Sequence, residues 1–353
     1  MTSKTIAIEE SARHEGTWLI WPHEYHFEKK KVDGKPFLDA IEGIWIEIVQ
    51  ALSEGEKVRI IAYFKNEIKR IKKLLKNEGV DISDDAFVVA ESNSFWVRDT
   101  GPIFAEDTDG KPVILNFAFD SWGKTPDDDG EVLYELDNKI PAEVAKCVEV
   151  PNYVEVPIID IPDFVLEGGA FEYDGKGTLM VCKSSVASTN RNPEWEIEQA
   201  EAFLKRYLAN NIIWLEGRIY GKYYKDITDC HIDGIARFYD SNTIISLPET
   251  FFPPGDFDRL SQAKNAAGKP YDIIPLPITK DNDWVYINYY IGNDVIILPM
   301  PGKYANVDVV KTIKSLYPNK RVVKIDVTAL VKHGGAIHCI TQQQPKYPVS
   351  SAL

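Results

Sequence analysis

Short apolar runs recur along the whole chain: Val58 to Phe64, Phe87 to Ala90, Val113 to Phe119, Thr178 to Cys182, Thr243 to Leu247 and Asp294 to Pro299. Each is rich in Val, Ile or Phe and is bounded by Gly, Pro, Asn or Asp, the pattern of buried or half-buried strands. Helical patterns lie between some of them. Phe37 to Leu52 forms one, and Glu67 to Leu75 forms another, with Ile68, Ile71 and Leu75 set against many lysines. A third starts near Asn192-Pro193, with Asn as N-cap and Pro in the first helical position, and carries Ile197, Ala200, Phe203, Leu204, Tyr207 and Leu208 at helical spacing. These periodicities predict an α/β protein with amphipathic helices packed on sheets. The length of 353 residues would allow several domains, but no Gly/Ser-rich linker or low-complexity segment interrupts the alternation, so residues 1–353 read as one domain.

The formal net charge of −14 opposes binding to nucleic acid or to an anionic membrane surface, and suits a small cationic partner. Many acidic proteins carry such charge for solubility alone. No stretch approaches the roughly 20 apolar residues that span a bilayer. Met1 to Glu10 lacks the basic and apolar regions of an export signal. The cysteines Cys147, Cys182, Cys230 and Cys339 are scattered, with no C-x-x-C pair, which predicts a reduced cytoplasmic protein without structural zinc or a disulfide framework. Asp127-Asp128-Asp129-Gly130 reads as a solvated turn, since no further calcium ligands follow it. Homo-oligomerisation is left open by composition.

Four clusters join Gly or Pro turns to polar residues that a core would not choose. They are Phe95 to Pro102, Leu166-Glu167-Gly168-Gly169, Asp229 to Asp233 and His333 to Cys339. A cysteine such as Cys339 often packs as a small hydrophobe. Gly334-Gly335 before it, however, would let a ligand approach the backbone closely. His338 adjoins Cys339, but neighbours on an extended strand face opposite ways, so a base for the thiol is sought elsewhere. His231-x-Asp233 would put both side chains on one face of an extended segment, as a core pair, half a metal site or part of a catalytic pocket. Zinc is disfavoured for want of further His or Cys ligands. A guanidinium presents a planar fork of N–H donors that carboxylates satisfy in pairs. Asp99 and Asp233 suit that task, although a salt bridge from Asp99 to Arg98 is the structural alternative. Glu167 could orient His231 by accepting a ring N–H, and Trp96 could pack on a ligand's aliphatic arm or simply in the core.

Taken together the clusters resemble the agmatine deiminase and bacterial-type peptidylarginine deiminase family of guanidine-modifying enzymes. The resemblance runs from Glu15-Gly16-Thr17-Trp18 and Trp21-Pro22 through WVRDTGP, LEGG, DGKGT, NRNP, HIDGIARF and YINYYIGNDVIILP to GGAIHCITQQQP. It implies the pentein fold, a five-bladed α/β-propeller of repeated ββαβ units around a central active site. No repeat is legible in the sequence itself. The resemblance makes Cys339 the nucleophile, His231 the general acid/base, Asp99 and Asp233 the guanidinium clamps, Glu167 the orienting group and Trp96 a wall for the substrate chain, with Gly334 and Gly335 bordering the pocket. One departure is Ala336, where agmatine deiminases commonly carry Asn in GGGNIHC.

The implied reaction needs no metal or cofactor: agmatine is hydrolysed to N-carbamoylputrescine and ammonia through a covalent amidino-thioether on Cys339. Within the same chemistry the alternative is deimination of peptidyl-arginine to citrulline. Transfer to an amine acceptor is more distant. A guanidine-binding pentein scaffold without catalysis is the reading from another class, and retention of all five polar positions weighs against it.

Overall fold

The computed structural model describes residues 4–26, 31–32, 35–126, 130–148, 150, 155–217, 227–278, 281–303 and 305–347. Asp127 to Asp129, read above as a solvated turn, lie outside the described residues.

One pattern is built five times. In its plainest form the antiparallel strands Phe171–Tyr173 and Thr178–Cys182 are followed by helix Ile197–Tyr207 and then by Asn211–Leu215, which lies parallel to Thr178–Cys182. Ala236–Asp240, Thr243–Ser246, helix Asp256–Ser261 and Asp272–Pro275 repeat it. So do Tyr290–Ile291, Val295–Met300, helix Val307–Leu316 and Arg321–Asp326. A fourth sheet joins the Ile103–Asp107 and Pro112–Ala118 hairpin to the parallel strand Ile158–Val165, with Thr5–Ala7 added at its edge. In the fifth, Gln342–Pro345 pairs antiparallel with His14–Ile20, so opposite ends of the chain close one sheet. Lys57–Ala62 and Phe87–Val89 extend that sheet in parallel. The fold is thus the expected ββαβ repetition.

Helix Phe37–Leu52 shows why the pattern is stable. Phe37, Ile41, Ile44, Trp45, Ile48 and Leu52 fall on one face and are buried, and each such side chain contributes about 1.5–3 kcal/mol on leaving water. The Trp45 indole N–H donates to the Ile20 carbonyl and locks that face to the sheet. Helix Glu67–Asn77 buries only Ile71 and Leu75 and leaves its lysines outward. Among the described residues no helix is long and apolar enough to cross a membrane.

The helix expected from Asn192-Pro193 begins later, at Ile197. Glu196 caps it, exchanging hydrogen bonds with Gln199 in a capping box. Asn192 is occupied elsewhere: its side chain accepts from the Val165 amide and donates to the Val165 and Val186 carbonyls.

What positions the site is the segment before the first strand of each unit. Each sheet is entered through a short helical turn: Val97–Thr100, Gly168–Ala170, Ile232–Gly234, Asp281–Ile287 and His338–Ile340. These turns touch in sequence. Val97–Thr100 packs on Gly168–Ala170 and on His338–Ile340, and Ile232–Gly234 bridges Gly168–Ala170 to Asp281–Ile287. The ring closes where the His338 amide donates to Asn288, just after the fourth turn.

Candidate active site

The expected site residues sit on this ring and are brought together. Asp99 is 8%, Glu167 0%, His231 4% and Asp233 2% exposed, so none is held by bulk water. His231 Nδ1 lies 3.7 Å from Asp99 Oδ1, and its Nε2 lies 3.7 Å from Glu167 Oε2. Cys339 Sγ is 3.8 Å from Asp233 Oδ2 and 3.5 Å from Asn288 Oδ1. Gly169 marks where they converge. A Cβ at that position would stand 2.6 Å from His231 Nδ1, 2.9 Å from Asp99 Oδ1 and 3.2 Å from Asp233 Oδ2, so only glycine fits there. Half-buried Trp96 lies against Gly335, where a Cβ would meet its ring at 2.4 Å. Gly334 has φ +100 and neighbours Ile227.

The spacing His231-x-Asp233 works differently from the extended segment expected. Residues 232–234 form a 3₁₀ turn, entered through Asp229 and Cys230 at φ +55 and +78. Convergence of the two side chains comes from that turn and not from strand alternation. Glu167 faces His231 at a distance longer than a hydrogen bond, and neither facing atom has another partner among the described residues. Arg98 does not pair with Asp99. It reaches the His338 carbonyl, Gln343 and Glu10, while Asp99 accepts from the Trp122 indole at 2.9 Å and the Gly169 amide at 3.0 Å. The Trp122 contact depends on a strained left-handed run, since Ser121, Trp122, Gly123 and Lys124 all have positive φ.

Burial opposes charge on every one of these groups, and the neighbours decide which keep it. For His231 the carboxylates of Asp99, Glu167 and Asp233 outweigh burial and raise its pKa to about 9. Burial raises Asp99, with the Asp233 and Glu167 charges adding to the effect and His231 and Trp122 opposing it. Glu167 is lowered despite burial, chiefly by Arg191, which bonds it at 2.7 Å and also holds Asp229 at 3.1 Å. Asp233 is lowered despite burial by His338, His231 and Arg237. Burial, then the charges of Asp233 and Asp99, push the Cys339 thiol well above its usual range, against a hydrogen bond from the Ala336 amide and the contact with the Asn288 side chain. Position 336 therefore meets the sulfur through its backbone, and its alanine side chain is wholly buried. Glu167 and Asp233 have fixed cationic partners. Among the described residues the cationic neighbour of Asp99 is His231, which leaves its carboxylate able to take a second cation.

Several members of the site were missed in the sequence. Asn288 directly follows the fourth turn and donates to Asp233 at 3.1 Å. Its signal was the fivefold repeat, which the sequence hides. Arg191 lies in the NRNP motif, where a buried arginine would have required an acidic partner. Glu10 and Trp122 carry no local signal.

Five ββαβ sheets whose entry turns bring a thiol, a histidine and three carboxylates to one centre define the pentein class of guanidine-modifying enzymes. Within that class the chain belongs to the Porphyromonas-type peptidyl-arginine deiminase family, which it matches over residues 6–345. A Legionella pneumophila protein named "Putative agmatine deiminase" is 30% identical over 350 residues, covering 94% of this chain and 93% of its own. A cysteine-to-serine variant of C. jejuni agmatine deiminase with substrate bound has a TM-score of 0.75 at 26% identity, covering 97% of each chain. Agmatine deiminase of Enterococcus faecalis has a TM-score of 0.78 at 22% identity, covering 99% of each chain, and shares the fold.

Proposed function

We propose that residues 1–353 form one catalytic domain that hydrolyses agmatine to N-carbamoylputrescine and ammonia through a covalent intermediate on Cys339. The observation that carries this reading is the packing of Asp99, His231 and Asp233 together against Gly169, beside the Cys339 thiol. A guanidinium bound against these carboxylates offers N–H donors to Asp99 and Asp233, while Trp96 lines its aliphatic chain. In the empty site the thiol is protonated. The arriving cation offsets the two carboxylate charges that hold its pKa high, so binding releases the thiol proton to solvent.

The thiolate then adds to the guanidinium carbon. His231, charged at neutral pH, donates its proton to one nitrogen, the C–N bond breaks and ammonia leaves. An amidino-thioether remains on Cys339. Neutral His231 takes a proton from water as the water oxygen adds to the same carbon. Collapse breaks the C–S bond, returns the thiol and releases the ureido product. Glu167, anchored by Arg191, favours the charged form of His231 between these steps. A cytoplasmic setting completes the reading, supported by four cysteines that are all thiols.

The family's description favours a second reading, deimination of peptidyl-arginine. Ammonia release measured with agmatine, free arginine and an arginine peptide separates the two. The highest kcat/KM is expected for agmatine, and a preference for the peptide overturns the assignment.

A further inference from the structure

A cluster of buried charge meets at His338, the residue before Cys339, which itself takes no part in the chemistry above. His338 is 1% exposed, and both its ring nitrogens face carboxylates: Nδ1 lies 2.7 Å from Asp233 Oδ2 and Nε2 lies 2.6 Å from Glu10 Oε2. Glu10 is held in turn by Arg237 at 2.9 Å, Arg98 at 3.3 Å and the Ile291 amide at 2.9 Å. Arg237 also pairs with Glu172. The His338 amide is fixed by both oxygens of Asn288, whose side-chain amide donates to Asp233.

An ionised carboxylate can only accept hydrogen bonds. Two of them flanking one imidazole are both satisfied only when each ring nitrogen carries a proton. Arg237, His338 and Arg98 keep Glu10 well below the ordinary carboxylate range although burial opposes it, and Asp233 is likewise lowered despite burial. The arrangement is a ladder of alternating charge: arginines, Glu10, His338, Asp233 and then the space that the substrate cation would fill. We propose that His338, doubly protonated and braced by Glu10, is a positioning residue that keeps Asp233 ionised and turned toward the guanidinium. The proposal rests on the guanidine hydrolysis proposed above, and it gives the residue before the nucleophile a role distinct from that of His231.

Asp233 is also faced by His231, Asp99, Cys339, Arg237 and, further off, Glu172, so its charge reflects all of them. His338 is the partner in direct contact among the groups that lower it. Without that imidazolium, burial and the neighbouring carboxylates dominate and Asp233 takes up a proton at higher pH. A substrate cation then meets a neutral acid, and the acidic limb of kcat/KM moves upward in pH. A residue needed only for packing would lower stability or kcat without moving that limb.

The test uses the full chain with His338→Gln and Glu10→Gln, each removing one charge at near-constant volume. In His338→Gln, KM for agmatine is expected to rise about tenfold or more, the loss that follows removal of a charge-assisted hydrogen bond, with kcat less affected and the acidic limb at higher pH. Glu10→Gln shifts both in the same direction by less. Nitrogen-15 histidine NMR of the wild type under the conditions of the assay is expected to show protons on both His338 ring nitrogens, as the two flanking carboxylates require. Folded variants that keep the wild-type limb overturn the proposal, as does a His338 ring with one proton. If His338→Gln does not fold, Glu10→Gln and the NMR measurement decide. Absence of turnover by the wild type overturns the functional reading itself. Turnover with an unmoved limb in the variants overturns only the positioning role.

Discussion

Gly169→Ala places one methyl group where the proposed catalytic groups Asp99, His231 and Asp233 converge. The added Cβ would stand 2.6 Å from His231 Nδ1 and 2.9 Å from Asp99 Oδ1, where ordinary contact begins near 3.4 Å. The imidazole must therefore retreat by about 0.8 Å and the carboxylate by about 0.5 Å, unless the turn itself shifts. Both side chains are buried and their surroundings cannot yield freely, so overpacking costs about 1–3 kcal/mol of stability. The reaction suffers more than the fold, because misplacement of a reacting group by about 1 Å can cost about 100-fold in rate. Gly234→Ala is the matched control, since nothing among the described residues lies within 4 Å of its added Cβ. Ammonia release and thermal unfolding measured on both variants give the answer. Gly169→Ala is expected to stay folded with kcat/KM down about 100-fold, and Gly234→Ala to resemble the wild type. A Gly169→Ala variant with more than about a third of wild-type kcat/KM would refute the placement of these groups around the reacting carbon.

In the wild type, where binding must release the Cys339 proton, kcat/KM is expected to rise about tenfold per pH unit up to pH about 9 and to level off above it, where free His231 is neutral and can take the thiol proton itself. The same shift from 6.5 to about 9 contributes about 3 kcal/mol of stability, fully present below pH 6.5 and lost as pH rises through about 9; denaturant titrations across that window check it. Gly335→Ala would press a Cβ to 2.4 Å from the Trp96 ring, so KM for agmatine should rise several-fold with a smaller change in kcat, as steady-state kinetics would reveal. Arg191→Ala removes the cation bonded to the wholly buried Glu167 carboxylate, and chemical denaturation should report a loss of about 3–5 kcal/mol.

Much of this site was legible before any coordinates, for a physical reason. Asp99, Glu167, His231 and Cys339 each lie within four residues of a Gly in a short turn-forming cluster, and polar residues in such places are seldom there for packing. Helix Phe37–Leu52 was also readable end to end, because its apolar spacing is strong. What escaped depends on contacts distant in sequence. Glu10 meets His338 across most of the chain, and Trp122 reaches Asp99 from a left-handed loop that no local pattern announces. Asn288 was hidden for another cause: the five entry turns are equivalent in space but not in sequence. The Ile197–Tyr207 helix was entered too early because Asn192 resembles a cap, whereas its amide groups are spent on Val165 and Val186.

The central claim is that Cys339 forms a bond to the guanidinium carbon. Rapid acid quench of the protein during turnover of agmatine, followed by mass spectrometry of its cysteine peptides, tests it directly. The account predicts a mass gain on the Cys339 peptide equal to agmatine less ammonia, absent from the peptides of Cys147, Cys182 and Cys230 and absent altogether in Cys339→Ala. Turnover that persists in Cys339→Ala, or an adduct on another cysteine, would contradict it.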